Sequence, residues 1–236
     1  MPVRARKESL DRAGARLKDL CRTTAHSIYI DPSQEREIIS GFERTYMAAA
    51  IDFTWMGTTL VTSPLDLWIY QEIVHDTSPD LIIATTENAR YLAALCQMRG
   101  AGEVLWIGSE ATVGDQERLR TVPDAVLPLA SGLATDVARS GLSVLVVLGS
   151  SHHGHPVVDE LRLYGSLVTT GSYLIVEGTG AALACAKDRA AALEDFLRQD
   201  PSFVIDRSRE KFYLSTNEFG YLRRVSVGLP QCGHHR

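Results

Sequence analysis

Several features that would assign this 236-residue chain to a class of protein are missing from its sequence. The longest apolar run, residues 142–148, has the length of a strand and is far shorter than a membrane span. The formal net charge of -5 gives no indication of a surface for nucleic acid. We therefore expect neither a membrane-spanning segment nor a nucleic-acid partner.

The cysteines show no metal-binding pattern. They are far apart, and no pair has the spacing of a zinc motif: Cys21, Cys96, Cys185 and Cys232. Scattered cysteines are typical of reduced thiols in a cytoplasmic protein. The basic residues 1–22 are interrupted by acids and precede no apolar segment, so we expect no signal or transit peptide and a cytoplasmic location.

Sequence patterns divide the chain into three predicted parts: a helical extension (1–50), an α/β domain (51–227) and a flexible tail (228–236). Pro64 begins a helix that ends near residue 79, because apolar residues follow it at helical spacing. Strands and helices then alternate, which is typical of a mostly parallel, doubly wound sheet. The predicted strands are 81–84, 103–107, 125–129, 143–148, 173–176, 203–206 and 212–215, and the predicted helices are 88–98, 115–120, 135–140, 156–164 and 186–198.

Ligands of such sheets bind beyond the carboxyl ends of the strands, and the first two turns there lack the usual nucleotide-binding residues. A nucleotide or S-adenosylmethionine site usually has a glycine-rich first turn, but residues 84–89 contain no glycine. Thr86 or Asn88 could instead cap the next helix. A ribose is usually held by a carboxylate just past the second strand, where this chain has Gly108, and Glu110 is the nearest substitute.

The next two turns contain residues suited to proton transfer. Three histidines follow the strand at 143–148, and histidine exchanges protons near neutral pH. Adjacent histidines in an extended turn point apart, so we expect no metal site there. Glu177 follows the strand at 173–176 and is a candidate general base or histidine partner. The candidate catalytic residues are therefore His152, His153 and Glu177.

Seven segments carry a further pattern over about residues 55–225: Trp55-Met56-Gly57 and residues 64–72, 79–83, 160–164, 171–177, 196–197 and 217–224. In this order they resemble the cephalosporin hydroxylase family, also called the rhamnosyl O-methyltransferase family. The resemblance implies the Rossmann-like, class I S-adenosylmethionine-dependent methyltransferase fold. It also implies a role in bacterial natural-product biosynthesis, of which antibiotic biosynthesis is one example.

Most positions that carry the family's chemistry hold other residues in this chain. The resemblance places the family's glycine-bearing loop on residues 84–91, where Thr86 and Tyr91 would contact a donor if one binds. It places the ribose-binding acid on Gly108 and the Asp-Ser-Asp-His metal stretch on residues 149–152. Magnesium prefers several oxygen ligands, usually including carboxylates, so we expect no magnesium site. Matching residues remain at Ser150, His152 and Glu177.

Three hypotheses follow. The favoured one is an enzyme that acts on a small molecule without S-adenosylmethionine. It would use His152 or His153 with Glu177 in an isomerisation, cyclisation, elimination or hydrolysis. The second is an O-methyltransferase in which Thr86, Tyr91 and Glu110 bind the donor. The third is a non-catalytic pseudoenzyme, a partner subunit that stabilises an active relative or an enzyme of the same pathway. The resemblance also implies a homo-oligomer, because the family fold often forms oligomers.

Overall fold

The computed structural model describes residues 53–60, 62–108, 116–122, 140–149, 157–180, 186–212 and 215–226. The predicted helical extension, the tail, the strand at 125–129 and nearly all of the helix at 135–140 lie outside these residues. The predicted domain boundaries therefore stay predictions. None of the described helices is both long and apolar enough to cross a bilayer.

The described elements alternate along the chain as the sequence indicates. The strands are β1 (Thr54–Trp55), β2 (Thr58–Thr59), β3 (Leu81–Ala84), β4 (Glu103–Ile107), β5 (Leu119–Val122), β6 (Val144–Leu148), β7 (Tyr173–Val176), β8 (Phe203–Ile205) and β9 (Tyr221–Arg224). The helices are α1 (Pro64–Thr77), α2 (Ala89–Arg99), α3 (Val157–Gly165) and α4 (Ala186–Gln199), with a short 3-10 helix at Arg207–Arg209.

The main sheet has the strand order β5-β4-β3-β6-β7-β9-β8, and β1 and β2 form a separate hairpin. Neighbours from β5 to β7 are parallel, whereas β9 is antiparallel to both β7 and β8. Chain order runs outward from β3 to β5 on one side and from β6 to β7 on the other, so the order of the strands reverses between the parallel neighbours β3 and β6. The predicted mostly parallel α/β fold is confirmed.

Two apolar layers cover the sheet because successive side chains of a buried strand point to opposite faces. Ile82 and Ala84 of β3 pack in one cluster with residues of α1 and α2. Ile83 packs in the other cluster with residues of α3 and α4. All residues of β6 and β7 are buried, which explains their continuous apolar sequences.

Two predicted elements are wrong. The helix predicted at 115–120 overlaps β5, whose residues are half-buried or exposed and therefore show no apolar alternation. The strand predicted at 212–215 is not present at its described ends: Phe212 lies in a turn and Ser215 in a loop. Ser215 donates a hydrogen bond of 2.6 Å to the Asp66 carboxylate, and the strand of this region is β9.

Candidate functional site

The candidate site lies at the carboxyl edge of the sheet, where β3, β4, β6 and β7 end. The point of reversal between β3 and β6 is where doubly wound sheets usually bind their ligands. Glu177 directly follows β7 at this edge and is buried. The structure therefore places one predicted catalytic residue at the expected position.

Residues from three elements hold the Glu177 carboxyl group. Its Oε1 accepts hydrogen bonds of 2.8 Å from the Tyr70 hydroxyl of α1 and of 2.8 Å from the Asn88 amide before α2. Thr86, in the turn after β3, also hydrogen-bonds to this carboxyl. Burial raises the pKa of Glu177, and the hydrogen bonds from Thr86, Tyr70 and Asn88 offset part of that rise.

A second buried carboxyl group, Asp66 in the first turn of α1, lies in the same polar network. It accepts hydrogen bonds from the Thr216 backbone (2.8 Å) and hydroxyl (2.7 Å), the Ser215 hydroxyl (2.6 Å) and the Tyr221 hydroxyl (2.7 Å). Burial raises the pKa of Asp66, and these hydrogen bonds act against it. All of these groups donate to Asp66, an arrangement that suits an ionised carboxylate.

Asn217 connects the two carboxyl groups. Its Nδ2 donates to the Tyr70 hydroxyl at 2.9 Å, and its Oδ1 accepts from the Gly178 backbone at 3.1 Å. The neighbouring Thr216 hydroxyl lies 3.3 Å from Asn217 Oδ1 and also donates to Asp66. The Asn217 backbone N–H donates to the Ser215 hydroxyl at 3.0 Å, so a continuous hydrogen-bond chain runs from Asp66 through Ser215, Asn217 and Tyr70 to Glu177.

Sequence reasoning missed Asp66, Tyr70 and Asn217 as members of this network. Tyr70 follows helical spacing and Asp66 suits a first helical turn, so both have ordinary local explanations. The available signal was that all three lie in segments that carry the family resemblance. A matched segment, however, does not show which of its residues contact one another.

Two of the residues predicted to bind S-adenosylmethionine, Thr86 and Tyr91, lie in the described part of the chain, and their surroundings differ. Thr86 is beside Glu177, and its Oγ1 accepts from the Asn88 backbone at 3.3 Å. Tyr91 packs instead: its hydroxyl donates to the Leu67 carbonyl at 3.0 Å, and its ring meets Trp55 edge-on at 5.4 Å. The remaining predicted site residues, Glu110, His152 and His153, lie outside the described residues.

Asn88 occupies the N-cap position of α2 but does not cap it with its side chain. The amide nitrogen is used for Glu177, and the buried amide oxygen Oδ1 has no hydrogen-bond partner in the described part of the chain. The hydroxyl of Thr179, two residues after Glu177, is likewise buried without a partner there. Buried polar atoms without a partner are uncommon in native folds, and a catalytic role is one of the reasons for which they are retained.

The described residues do not fit a magnesium ion. Among them, no group of three or more His, Cys, Asp or Glu side chains is close enough to hold a metal. Oε1 of Glu177 is already used by Tyr70 and Asn88. At Gly149, where the resemblance puts a carboxylate, an added Cβ would lie 2.6 Å from the Thr85 carbonyl oxygen.

They do not fit the ribose of a nucleoside donor either. An acid side chain would be expected at Gly108, just past β4, but an added Cβ there would lie 3.0 Å from Nε1 of Trp106. The indole thus stands close against the point where the side chain of an acid would begin.

A polar cavity of about 490 Å³ opens at the opposite, amino edge of the sheet. Arg209 in its wall is engaged by Asp76 at 2.8 Å and by the Tyr173 hydroxyl at 3.3 Å. That hydroxyl in turn donates to Asp206 at 2.6 Å. Because these groups satisfy one another, the carboxyl edge is the better candidate for chemistry.

Comparisons with known proteins agree with this fold. A family model described as "Rhamnosyl O-methyltransferase/CmcI" matches residues 47–225. The rhamnosyl O-methyltransferase of Mycobacterium leprae is 27% identical over 188 residues, covering 70% of this chain and 81% of the relative. That of Mycobacterium tuberculosis is 28% identical over 137 residues, covering 52% of this chain and 56% of the relative. The chain thus spans little more than half the length of the latter.

Solved structures show the same architecture. A CmcI apo-structure matches with a TM-score of 0.54 and 15% identity, covering 75% of this chain and 78% of that one. A CmcI structure with Mg-SAM matches with a TM-score of 0.55 and 14% identity, with the same coverage. At this level of identity the likeness shows the fold alone.

Proposed function

Because the chain belongs to the rhamnosyl O-methyltransferase/CmcI family, we propose that it is a methyltransferase-fold enzyme that has changed its chemistry. It acts on a small molecule by acid–base catalysis, as in an isomerisation, cyclisation, elimination or hydrolysis, without S-adenosylmethionine or magnesium. The observation that carries this proposal is the buried Glu177 carboxyl group at the carboxyl edge, whose pKa is raised by burial. Such carboxyl groups are typical of catalytic acids and bases.

Three side chains hydrogen-bond to the Glu177 carboxyl group: Tyr70 and Asn88 donate to Oε1, and Thr86 is the third partner. In this proposal the exchangeable proton is assigned to Oε2, because Oε1 already accepts two hydrogen bonds. A carboxyl group with a raised pKa holds this proton closer to neutral pH and can donate it to a substrate oxygen. His152 or His153, predicted from the sequence, would take a proton from another atom of the same substrate and later return it.

The alternative is an O-methyltransferase that binds its donor in an altered way. It is supported by the names of the relatives and by CmcI structures with Mg-SAM and with SAH, which share this fold. Thr86, Tyr91 and Glu110 would then be the donor-binding residues. The close packing at Gly108 and Gly149 favours the first proposal over this one.

Calorimetric titration with S-adenosylmethionine and S-adenosylhomocysteine, with and without magnesium, separates the two proposals. We expect no saturable binding up to about 1 mM ligand, which corresponds to a binding free energy weaker than about -4 kcal/mol. The Mycobacterium leprae relative, titrated in parallel, controls for ligand quality. Micromolar binding by this chain would contradict our proposal and support the methyltransferase alternative.

A deuterium-exchange assay tests the acid–base chemistry directly. The protein is incubated in D2O with a panel of small carbonyl and hydroxy compounds, and mass spectrometry detects deuterium at carbon. We expect incorporation that is lost in Glu177→Gln and retained in Glu103→Gln, a matched change at an exposed residue of β4. Incorporation that persists in Glu177→Gln would remove Glu177 from the mechanism.

A further inference from the structure

Gly108, at the end of β4, is buried against the indole of Trp106 in the same strand. A Cβ added at Gly108 would lie 3.0 Å from Nε1 and 3.4 Å from Cε2 of that indole. Comfortable contacts between carbon atoms begin at about 3.5 Å, so even an alanine would press on the ring. The carboxylate of an aspartate or glutamate would extend further into the same space.

The indole is not free to move aside. Trp106 is only 8% exposed and belongs to the core cluster that includes Ala89 and Leu92 of α2. Side chains in close-packed interiors cannot change rotamer without displacing their neighbours. Making room for a side chain at Gly108 therefore requires the indole to shift against the core in which it is packed.

Gly149, at the end of β6, is packed equally closely but against backbone. Its added Cβ would lie 2.6 Å from the Thr85 carbonyl oxygen and 3.1 Å from Cα of Thr86. Hydrogen bonds hold this contact from both sides: the Gly149 N–H donates to Thr85 Oγ1 at 2.9 Å, and Arg189 donates to the Gly149 carbonyl at 2.8 Å. Here no side chain could be trimmed to make room.

We infer that Trp106 is a specificity-determining residue of the carboxyl-edge site, because its indole fills the space of the carboxylate that would hold a ribose. It restricts the site to compact small molecules that contain no nucleoside. The inference rests on the proposed function, in which the substrate binds at this edge without a nucleoside donor. Restoring an acid at Gly108 alone therefore does not restore a ribose site while the indole remains in place.

The packing is tested by thermal unfolding of Gly108→Ala, Trp106→Leu and the double variant. We expect Gly108→Ala to lower the unfolding midpoint by roughly 3–8 °C in the wild-type background, as overpacking usually does. In the Trp106→Leu background it should lower the midpoint by less than half as much. Gly149→Ala is the control, since its clash is with backbone and should be equal in both backgrounds. An equal effect of Gly108→Ala in both backgrounds would overturn the inference.

The ligand class is tested by calorimetry with S-adenosylhomocysteine. Gly108→Asp alone should gain no affinity, whereas Gly108→Asp combined with Trp106→Leu should bind at least about tenfold more tightly than wild type. Equal binding by the single and double variants, or no gain in the double variant, would overturn the inference. Micromolar binding by the wild-type protein would instead overturn the proposed function, so the two failures are distinguishable.

Discussion

Glu177 and Asp66 are both buried carboxyl groups, but their hydrogen-bond partners differ in whether they allow the carboxyl group to be protonated. Glu177 is held by the side chains of Tyr70, Asn88 and Thr86, and the Thr86 hydroxyl can accept a hydrogen bond from the protonated carboxyl group as well as donate to the ionised one. Asp66 accepts on both oxygens, and one of its donors is the Thr216 backbone N–H, which cannot accept in return. At the scale of single residues, Glu177 is therefore suited to exchange a proton and Asp66 to keep its charge.

This difference predicts the effects of neutral substitutions. Glu177→Gln keeps an acceptor oxygen for Tyr70 and Asn88 and should change the free energy of unfolding by about 1 kcal/mol or less. Glu177→Ala leaves both buried donors without an acceptor and should cost roughly 2–5 kcal/mol. Urea unfolding at pH 7 measures both values.

Asp66→Asn provides the comparison, because it replaces one acceptor oxygen by an NH2 group that donates. In either orientation this group would face existing donors, from Thr216 on one side or from Ser215 and Tyr221 on the other. We expect it to destabilise the fold by roughly 2–4 kcal/mol, clearly more than Glu177→Gln. Equal effects of the two isosteric changes would show that the hydrogen-bond assignments do not distinguish the two acids.

At the scale of elements, the start of α2 is shaped by the site rather than by the helix. Asn88 stands at the N-cap, where asparagine usually accepts a hydrogen bond from the helix backbone. In this chain the side chain turns to Glu177 instead, and no side-chain cap forms. The helix thus lacks a side-chain cap, which usually stabilises a helix by about 1 kcal/mol, because Asn88 donates instead to the Glu177 carboxyl group.

Asn88→Asp tests this competition between cap and site. An aspartate is a good N-cap and suits the positive end of the helix dipole, but it would place a second carboxylate beside Glu177. We therefore expect Asn88→Asp to destabilise wild type by roughly 1–3 kcal/mol and to be much less harmful in Glu177→Gln. A double-mutant cycle in urea measures the coupling, and a coupling near zero would contradict the Asn88–Glu177 contact.

The described strands also show which secondary structure the sequence patterns predict correctly and which they do not. β3, β4 and β7 begin and end at the predicted residues, because buried strands have continuous apolar sequences between clear turns. β5 was predicted as helix, since an edge strand that is only partly buried lacks that pattern. The prediction at 212–215 failed because the apolar Phe212 is exposed in a turn and not part of the sheet.

At the scale of the whole molecule, the fold buries acids whose protons are released less readily in the folded than in the unfolded state. The pKa is raised by burial at Glu177, Asp66 and, less completely buried, Glu210. A raised folded-state pKa contributes stability below the unfolded value, and this contribution is lost as the pH rises through the folded value. The relevant window therefore begins near pH 4.5 for Glu177 and extends upward.

Stability should accordingly depend on pH in a way that Glu177→Gln changes. We expect wild type to lose stability relative to Glu177→Gln as the pH rises from about 4.5 towards 8, because only wild type must ionise a buried group. Urea unfolding at several pH values in this range measures the difference between the two proteins. A difference that is constant with pH would mean that burial does not shift the Glu177 pKa.

The sequence alone determined the alternating α/β architecture, the family and the absence of acids at Gly108 and Gly149, because these depend on local patterns and matched segments. Only the tertiary structure joined Asp66 to Thr216 and Tyr70 to Glu177, pairs that lie 150 and 107 residues apart. Only the structure showed that Trp106 and Thr85 fill the space beside the two glycines. Periodicity reports which face of an element is buried, whereas contacts between distant segments arise when the layers pack together.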